Sequence, residues 1–176
     1  MKTKGINHLA LVCRDMEETV RFYTEVLHMP LFKTVSLPDG GQHFFFDCGG
    51  GASVAFFWWP DAPAAAPGIA SVKRFPSDPK TAIGSMNHVA FHMDEAELEA
   101  SIARLQAAGV PVTPMVVNHD DSAQGVSAQM HPGVFVRSVY FTDPNGIMLE
   151  FAATTKVFGR DDVSHKPASA TRPMEA

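Results

Sequence analysis

An α+β fold of two βαβββ modules is predicted by three observations: a tetrapeptide that recurs, a capped amphipathic helix after each copy, and short strands after each helix. Asn7-His8-Leu9-Ala10 returns as Asn87-His88-Val89-Ala90, 80 residues on (88 − 8). Each copy opens an apolar run that ends at an aspartate, Asp15 and Asp94, with a glutamate three residues further, Glu18 and Glu97. That spacing marks a helix N-cap with a capping box. Met16, Val20, Tyr23 and Leu27 then keep the period of one helix face, as do Leu98, Ile102 and Leu105. Gly109 and Pro111 stop the second helix.

After each helix the period shortens to that of strands. In the first copy these are expected at 31–37, 43–48 and 53–59, separated by Pro38-Asp39-Gly40-Gly41 and Gly49-Gly50-Gly51. In the second they are expected at 112–118, 134–142 and 147–152, the last two joined by Asp143-Pro144-Asn145-Gly146. The organisation is a single domain over 5–152: module one at 5–59, a connector at 60–85, module two at 86–152, and a tail at 153–176. Residues 60–79, rich in proline and alanine, read as a connector or lid, and 119–133 as a second long insert. From 154 onward the chain is polar and without periodicity, and loose order is expected.

Composition narrows the function classes. With 45% hydrophobic and 19% charged residues the chain is globular rather than disordered. A formal charge of −5 argues against a nucleic-acid surface. No apolar run approaches the roughly 20 residues of a membrane helix, and residues 1–5 lead into a strand without a signal-peptide core. Cys13 and Cys48 form no CxxC or CxxH pair. A cytoplasmic protein is therefore expected, with Cys13 a small core residue.

Alternate residues of a strand face one side. His8 and His88 hold the same position of the same strand in the two copies, and they converge if the copies pack about a pseudo-twofold. Glu150 lies on the final strand, with Met148 and Ala152 on its own face. A lone strand histidine is ordinarily a hydrogen-bonded core residue. Two at equivalent positions, with a glutamate among Ile147, Leu149 and Phe151, point instead to a metal, because a carboxylate there needs a cation or several donors. Two imidazoles and a carboxylate form a facial triad suited to Fe(II), and also to Mn, Co, Ni or Zn.

At these residues the chain resembles the vicinal oxygen chelate superfamily, which includes glyoxalase I, extradiol ring-cleaving dioxygenases, methylmalonyl-CoA epimerase, fosfomycin-resistance enzymes and bleomycin-binding proteins. The resemblance covers about 5–152 and rests on NHLALVCRD, NHVAFHMD and YFTDPNGIMLEF. It implies two βαβββ modules in a curved, incompletely closed mixed-sheet barrel around one divalent metal, with His8, His88 and Glu150 as its ligands. Glyoxalase I and the epimerases have a fourth ligand on the last strand of module one. Here Phe56 or Ala55 falls there, which favours the three-ligand pattern of dioxygenases and fosfomycin enzymes. Bleomycin-binding members have typically lost the ligands, so the full triad argues for an enzyme.

The family's dioxygenases place a substrate-contacting tyrosine ten residues before the glutamate, and Tyr140 meets that spacing (150 − 140). Their acid–base histidine has no counterpart around 52–56, and His131, on the second insert, is the substitute. His92 lines the pocket or is buried. His43, His119 and His165 read as surface or loop residues, and His28 as a helix-end residue. Of Phe44, Phe45, Phe46, Phe56, Phe57, Trp58 and Trp59, about half should face the barrel interior and give a hydrophobic pocket.

The expected function is a non-haem Fe(II) extradiol-type dioxygenase acting on a small hydrophobic substrate with adjacent oxygens. The alternatives are a redox-neutral isomerase, lyase or epoxide-opening transferase, and a drug-binding protein. A homodimer is expected, with His8 meeting His88 and Glu150 of the partner chain.

Overall fold

The computed structural model describes residues 2–69, 71, 72 and 80–167. Residues 70 and 73–79 of the expected connector, and the tail beyond 167, lie outside the described residues.

In module one, β1 (His8–Val12) leads into α1 (Met16–Arg21). The Asp15 carboxylate caps this helix by accepting from the Glu18 amide, as the spacing predicts. Glu18 does not close a capping box; its carboxylate pairs with Arg14 at 2.8 Å. A π-turn over Phe22–Val26 continues the helix. The widened turn buries both Phe22 and Tyr23, while Val20 and Leu27 of the expected stripe are only half-buried. Strands β2 (Leu31–Ser36), β3 (Gln42–Asp47) and β4 (Ser53–Trp58) follow. They form a sheet in the order β1-β4-β3-β2, with β1 parallel to β4.

Module two repeats this plan with one addition. Strand β5 (Val89–His92) is followed by a 3-10 turn, Glu95–Glu97, and by α2 (Leu98–Ala107). The expected cap at Asp94 is corrected: its backbone carbonyl, not its side chain, accepts from the Glu97 amide, because the 3-10 turn has already used that donor. Gly109 ends the helix at φ +73°, where only glycine sits without strain.

The strand expected at 112–118 shrinks to β6 (Val117–His119). Pro111 and Pro114 have no amide to donate to a ladder, so Val112 makes only an isolated bridge to Phe141. The second insert is not irregular throughout either. Its Val126–Ser127 segment, β7, folds back on β6 through a turn closed by the Asp120 amide on the Gly125 carbonyl. With β8 (Val136–Thr142) and β9 (Met148–Thr154) the second sheet runs β5-β9-β8-β6-β7, with β5 parallel to β9. The tail is tied down as far as Arg160–Asp162 by Lys156 on Asp162 at 2.6 Å.

Among the described residues the two mixed sheets remain separate and close no barrel. One core joins them, drawn from the helix-facing sides: Tyr23, Phe46, Val54 and Phe56 of module one meet Leu98, Phe141, Leu149 and Phe151 of module two. Each such fully buried side chain stabilises the fold by roughly 1.5–3 kcal/mol relative to exposure. The Asp143-Pro144-Asn145-Gly146 turn locks the modules together. Tyr23 donates to the Asp143 carboxylate at 3.3 Å, and the Arg14 amide donates to the Asn145 side chain at 2.9 Å. Cys13 is buried in this core, as expected. No helix among the described residues is long and apolar enough to cross a membrane.

Candidate metal centre

The core occupies one face of each sheet, so the candidate ligands occupy the other. In module two, β9 is paired with β5 so that Glu150 lies opposite Ala90, and with β8 so that it lies opposite Tyr140. His88, just before β5, therefore reaches Glu150: its Nε2 is 2.9 Å from Oε2. The other carboxylate oxygen accepts a short hydrogen bond from Ser138. Glu150 is only 4% exposed. Burial pushes its carboxyl pKa up, but hydrogen bonds from His88, Ser138 and Tyr140 outweigh that and leave it below the ordinary value.

The His88–Glu150 contact fits a bound cation. Nδ1 of His88 lies 2.8 Å from the Asn87 side-chain oxygen, which only accepts, so Nδ1 carries the proton. Nε2 and the carboxylate then meet as two electron pairs, and a proton or metal ion has to lie between them. Ligands about 2.0–2.2 Å from a shared ion stand close to 3 Å apart when adjacent. The observed spacing is that of an ordinary hydrogen bond, and equally that of two adjacent ligands on a six-coordinate ion.

His8 is not with them. It opens β1 on the other sheet, exposed, with its ring edge on Phe45 at 5.7 Å. Among the described residues no three His, Cys, Asp or Glu side chains converge on a common point. The pseudo-twofold convergence expected from the repeat is thus not realised inside one chain. The sheets pack through their helix faces, which leaves the faces that carry His8 and Glu150 apart.

The ladder registers show what replaces Glu150 in module one. Ala90 is opposite Glu150, and its repeat mate Ala10 is opposite Ala55. Of the two candidates for that position, Phe56 and Ala55, it is Ala55 that holds it, fully buried. Tyr140 opposite Glu150 has its counterpart in Phe45 opposite Ala55, and Ser138 in His43. Module two therefore presents a polar half-site and module one an aromatic one.

On that aromatic face Phe45, Phe57 and Trp59 lie outside the core, whereas Phe46 and Phe56 are buried and Phe44 and Trp58 are packed against them. His43 stacks on Phe45 at 4.3 Å and meets Phe57 edge-on at 3.6 Å, and Phe57 stacks on Trp59 at 4.8 Å. Burial, then the nearby His8, lowers the His43 pKa, and among the described residues its buried Nε2 has no hydrogen-bond partner. The expectation of a surface residue at His43 is thus overturned; alternation along 42–47 places it on the face of Phe45. A cavity of about 430 Å³ beside His8 is lined by Asn7, Phe32, Lys33, Phe45, Asp47 and Ser53.

Tyr140 is buried beside Glu150, and burial followed by the Glu150 charge pushes its phenol well above the ordinary value. Its hydroxyl lies 3.0 Å from Nε2 of His119. His119 falls one residue beyond the strand expected at 112–118, so the sequence does not mark it as part of the site. His131 stands elsewhere. Its Nε2 pairs with the Asp120 carboxylate at 3.0 Å, and Nδ1 accepts from the Gly133 amide, so it is held within its own insert. The insert nonetheless reaches the site, since Asp120 directly follows His119. His92 is exposed on the ligand face, opposite Ala152.

Of the connector, Val72 packs on Tyr140 and Met148. An earlier stretch, Ala62 and 63–66, instead roofs a cavity of about 660 Å³ at the module junction, away from the ligands.

Residues 5–151 match the family model described as the Glyoxalase/Bleomycin resistance protein/Dioxygenase superfamily. The metallothiol transferase FosB of Shouchella clausii is 29% identical over 146 residues, 83% of this chain and 77% of that protein. The putative ring-cleaving dioxygenase MhqE of Bacillus subtilis is 50% identical over 48 residues, 26% of this chain and only 16% of that protein. Among solved structures, the fosfomycin resistance protein FosX of Listeria monocytogenes, in complex with Mn(II) and sulfate, aligns with a TM-score of 0.57 at 17% identity. The alignment covers 88% of this chain and 95% of that one.

Proposed function

The chain belongs to the Glyoxalase/Bleomycin resistance protein/Dioxygenase superfamily, and we propose that within it the protein is an Fe(II)-dependent, extradiol-type dioxygenase for a small aromatic substrate with adjacent oxygens. Its site is formed between two chains, His8 of one and His88 with Glu150 of the other. The observation that carries this reading is the asymmetry of the half-sites. A polar half with Glu150, Ser138 and Tyr140 suits the substrate oxygens, and an aromatic half with Phe45, His43 and Phe57 suits a ring.

When bound, the ion supplies Lewis acidity toward the adjacent oxygens and, as Fe(II), electrons for O₂. The protein's own groups do the rest. Ser138 holds one Glu150 oxygen and leaves the other toward His88. Tyr140, kept protonated by burial and by Glu150, donates a hydrogen bond to an anionic substrate oxygen. His119 fixes the direction of that hydroxyl. Phe45 and Phe57 exclude water from the ring's flank.

Anaerobic reconstitution with Fe(II), followed by O₂ uptake and loss of the aromatic absorbance of 4-methylcatechol, tests the reading. No uptake with a panel of catechols, at full iron occupancy, refutes it. The likeness to a metallothiol transferase over most of the chain supports a second reading, a redox-neutral transfer of a thiol to an epoxide. Mn(II)-dependent, O₂-independent consumption of a thiol and fosfomycin is the outcome that selects it.

A further inference from the structure

We propose that Asn7 and Asn87 are paired positioning residues that hold His8 and His88 in the tautomer able to bind the metal. The inference rests on the metal reading above. In each module the asparagine side-chain oxygen lies 2.8 Å from Nδ1 of the histidine that follows it. An amide oxygen only accepts, so each neutral ring carries its proton on Nδ1 and keeps its electron pair on Nε2. The same contact, at the same distance, occurs at two places 80 residues apart (87 − 7), on different sheets.

Asn7 and Asn87 are both exposed, and the one backbone contact made by Asn7, its carbonyl to the Ser53 amide, any residue would keep. At His88 the consequence is visible: with Nδ1 committed, Nε2 is the atom turned to Glu150 at 2.9 Å. At His8 the same arrangement leaves Nε2 ready for a ligand that this chain does not itself complete. Outer partners of this kind orient a histidine ligand and raise its basicity, and losing one typically weakens metal binding by about 10–100-fold.

The experiment compares Asn7→Leu and Asn87→Leu with Asn7→Asp and Asn87→Asp. Leucine removes the acceptor at similar size, and aspartate keeps one; circular dichroism checks that all four fold. Long-range nitrogen-15 NMR on metal-free protein at pH 9 reads the tautomers, and competition with a chelator reads Zn(II) affinity. The expected result is an Nδ1–H ring at His8 in wild type and Asn7→Asp, with loss of that preference in Asn7→Leu; at His88, where the Glu150 carboxylate holds a proton on Nε2 in metal-free protein, zinc affinity is the readout. Zinc affinity should fall by about 10–100-fold in each leucine variant and stay within a few-fold in the aspartate ones. Unchanged zinc affinity in the leucine variants, or an Nε2–H ring at His8 in wild type, overturns the proposal. If His8→Ala and His88→Ala leave zinc affinity unchanged, the metal reading itself fails, while the tautomer spectrum of His8 still judges Asn7.

Discussion

Tyr140 and Glu150 stand directly opposite each other on β8 and β9, on the sheet face turned away from the core. The pairing joins a carboxylate held below its ordinary pKa to a phenol held above its own, each partly through the other. A group that stays protonated is thereby set beside one that stays charged, which places a hydrogen-bond donor next to an anionic acceptor at neighbouring positions.

Tyr140→Phe should leave metal content unchanged and lower kcat, with KM for the catechol probe changed less. Loss of a positioned hydrogen bond to a developing oxyanion corresponds to roughly a 10²–10³-fold rate decrease. Steady-state kinetics on iron-loaded protein provide the check, and a variant with wild-type kcat removes Tyr140 from the chemistry.

His119→Phe should resemble a weaker Tyr140→Phe, while His119→Gln, which retains a hydrogen-bonding group, should recover much of the lost kcat. His131→Ala is expected to lower turnover while leaving metal content intact, through the Asp120–His131 contact that anchors the insert next to His119. Equal losses with Phe and Gln at 119 would remove the hydrogen bond to Tyr140 from the explanation.

Mixing His8→Ala and Glu150→Ala chains after subunit exchange should restore one working site per heterodimer, because each dimer then retains one complete set of ligands. Activity and metal stoichiometry at about half the wild-type value per heterodimer, and so about a quarter over an equimolar, fully exchanged mixture, are expected. Confirmed exchange without recovery would place all three ligands within one chain.

Acid should weaken the metal-free fold through Glu150. Its folded pKa lies below the ordinary carboxylate value, so its contribution is fully present above the unfolded pKa and is lost as pH falls through the folded one. Wild type should therefore lose stability below about pH 4.5 more steeply than Glu150→Gln in chemical denaturation. Parallel pH profiles for the two proteins would contradict the shift.

Repetition along the chain is what makes the two modules legible from the amino-acid order alone. A recurring Asn-His, an aspartate cap and a helical stripe are local signals, and β1, α1, α2 and β9 lie close to where these signals put them. Period-two alternation likewise sets Glu150 and Tyr140 on one face. What local signals do not carry is which faces meet. Whether His8 approaches His88 depends on how two sheets pack, and the sheets pack through their helices, so the triad is divided. The same holds for Ala55 as the counterpart of Glu150, which only the ladder registers identify, and for His119, whose contact with Tyr140 spans 21 residues and an insert. Chemistry at a residue is written in its own side chain and near neighbours, whereas convergence of distant residues is decided by the tertiary burial of apolar surface.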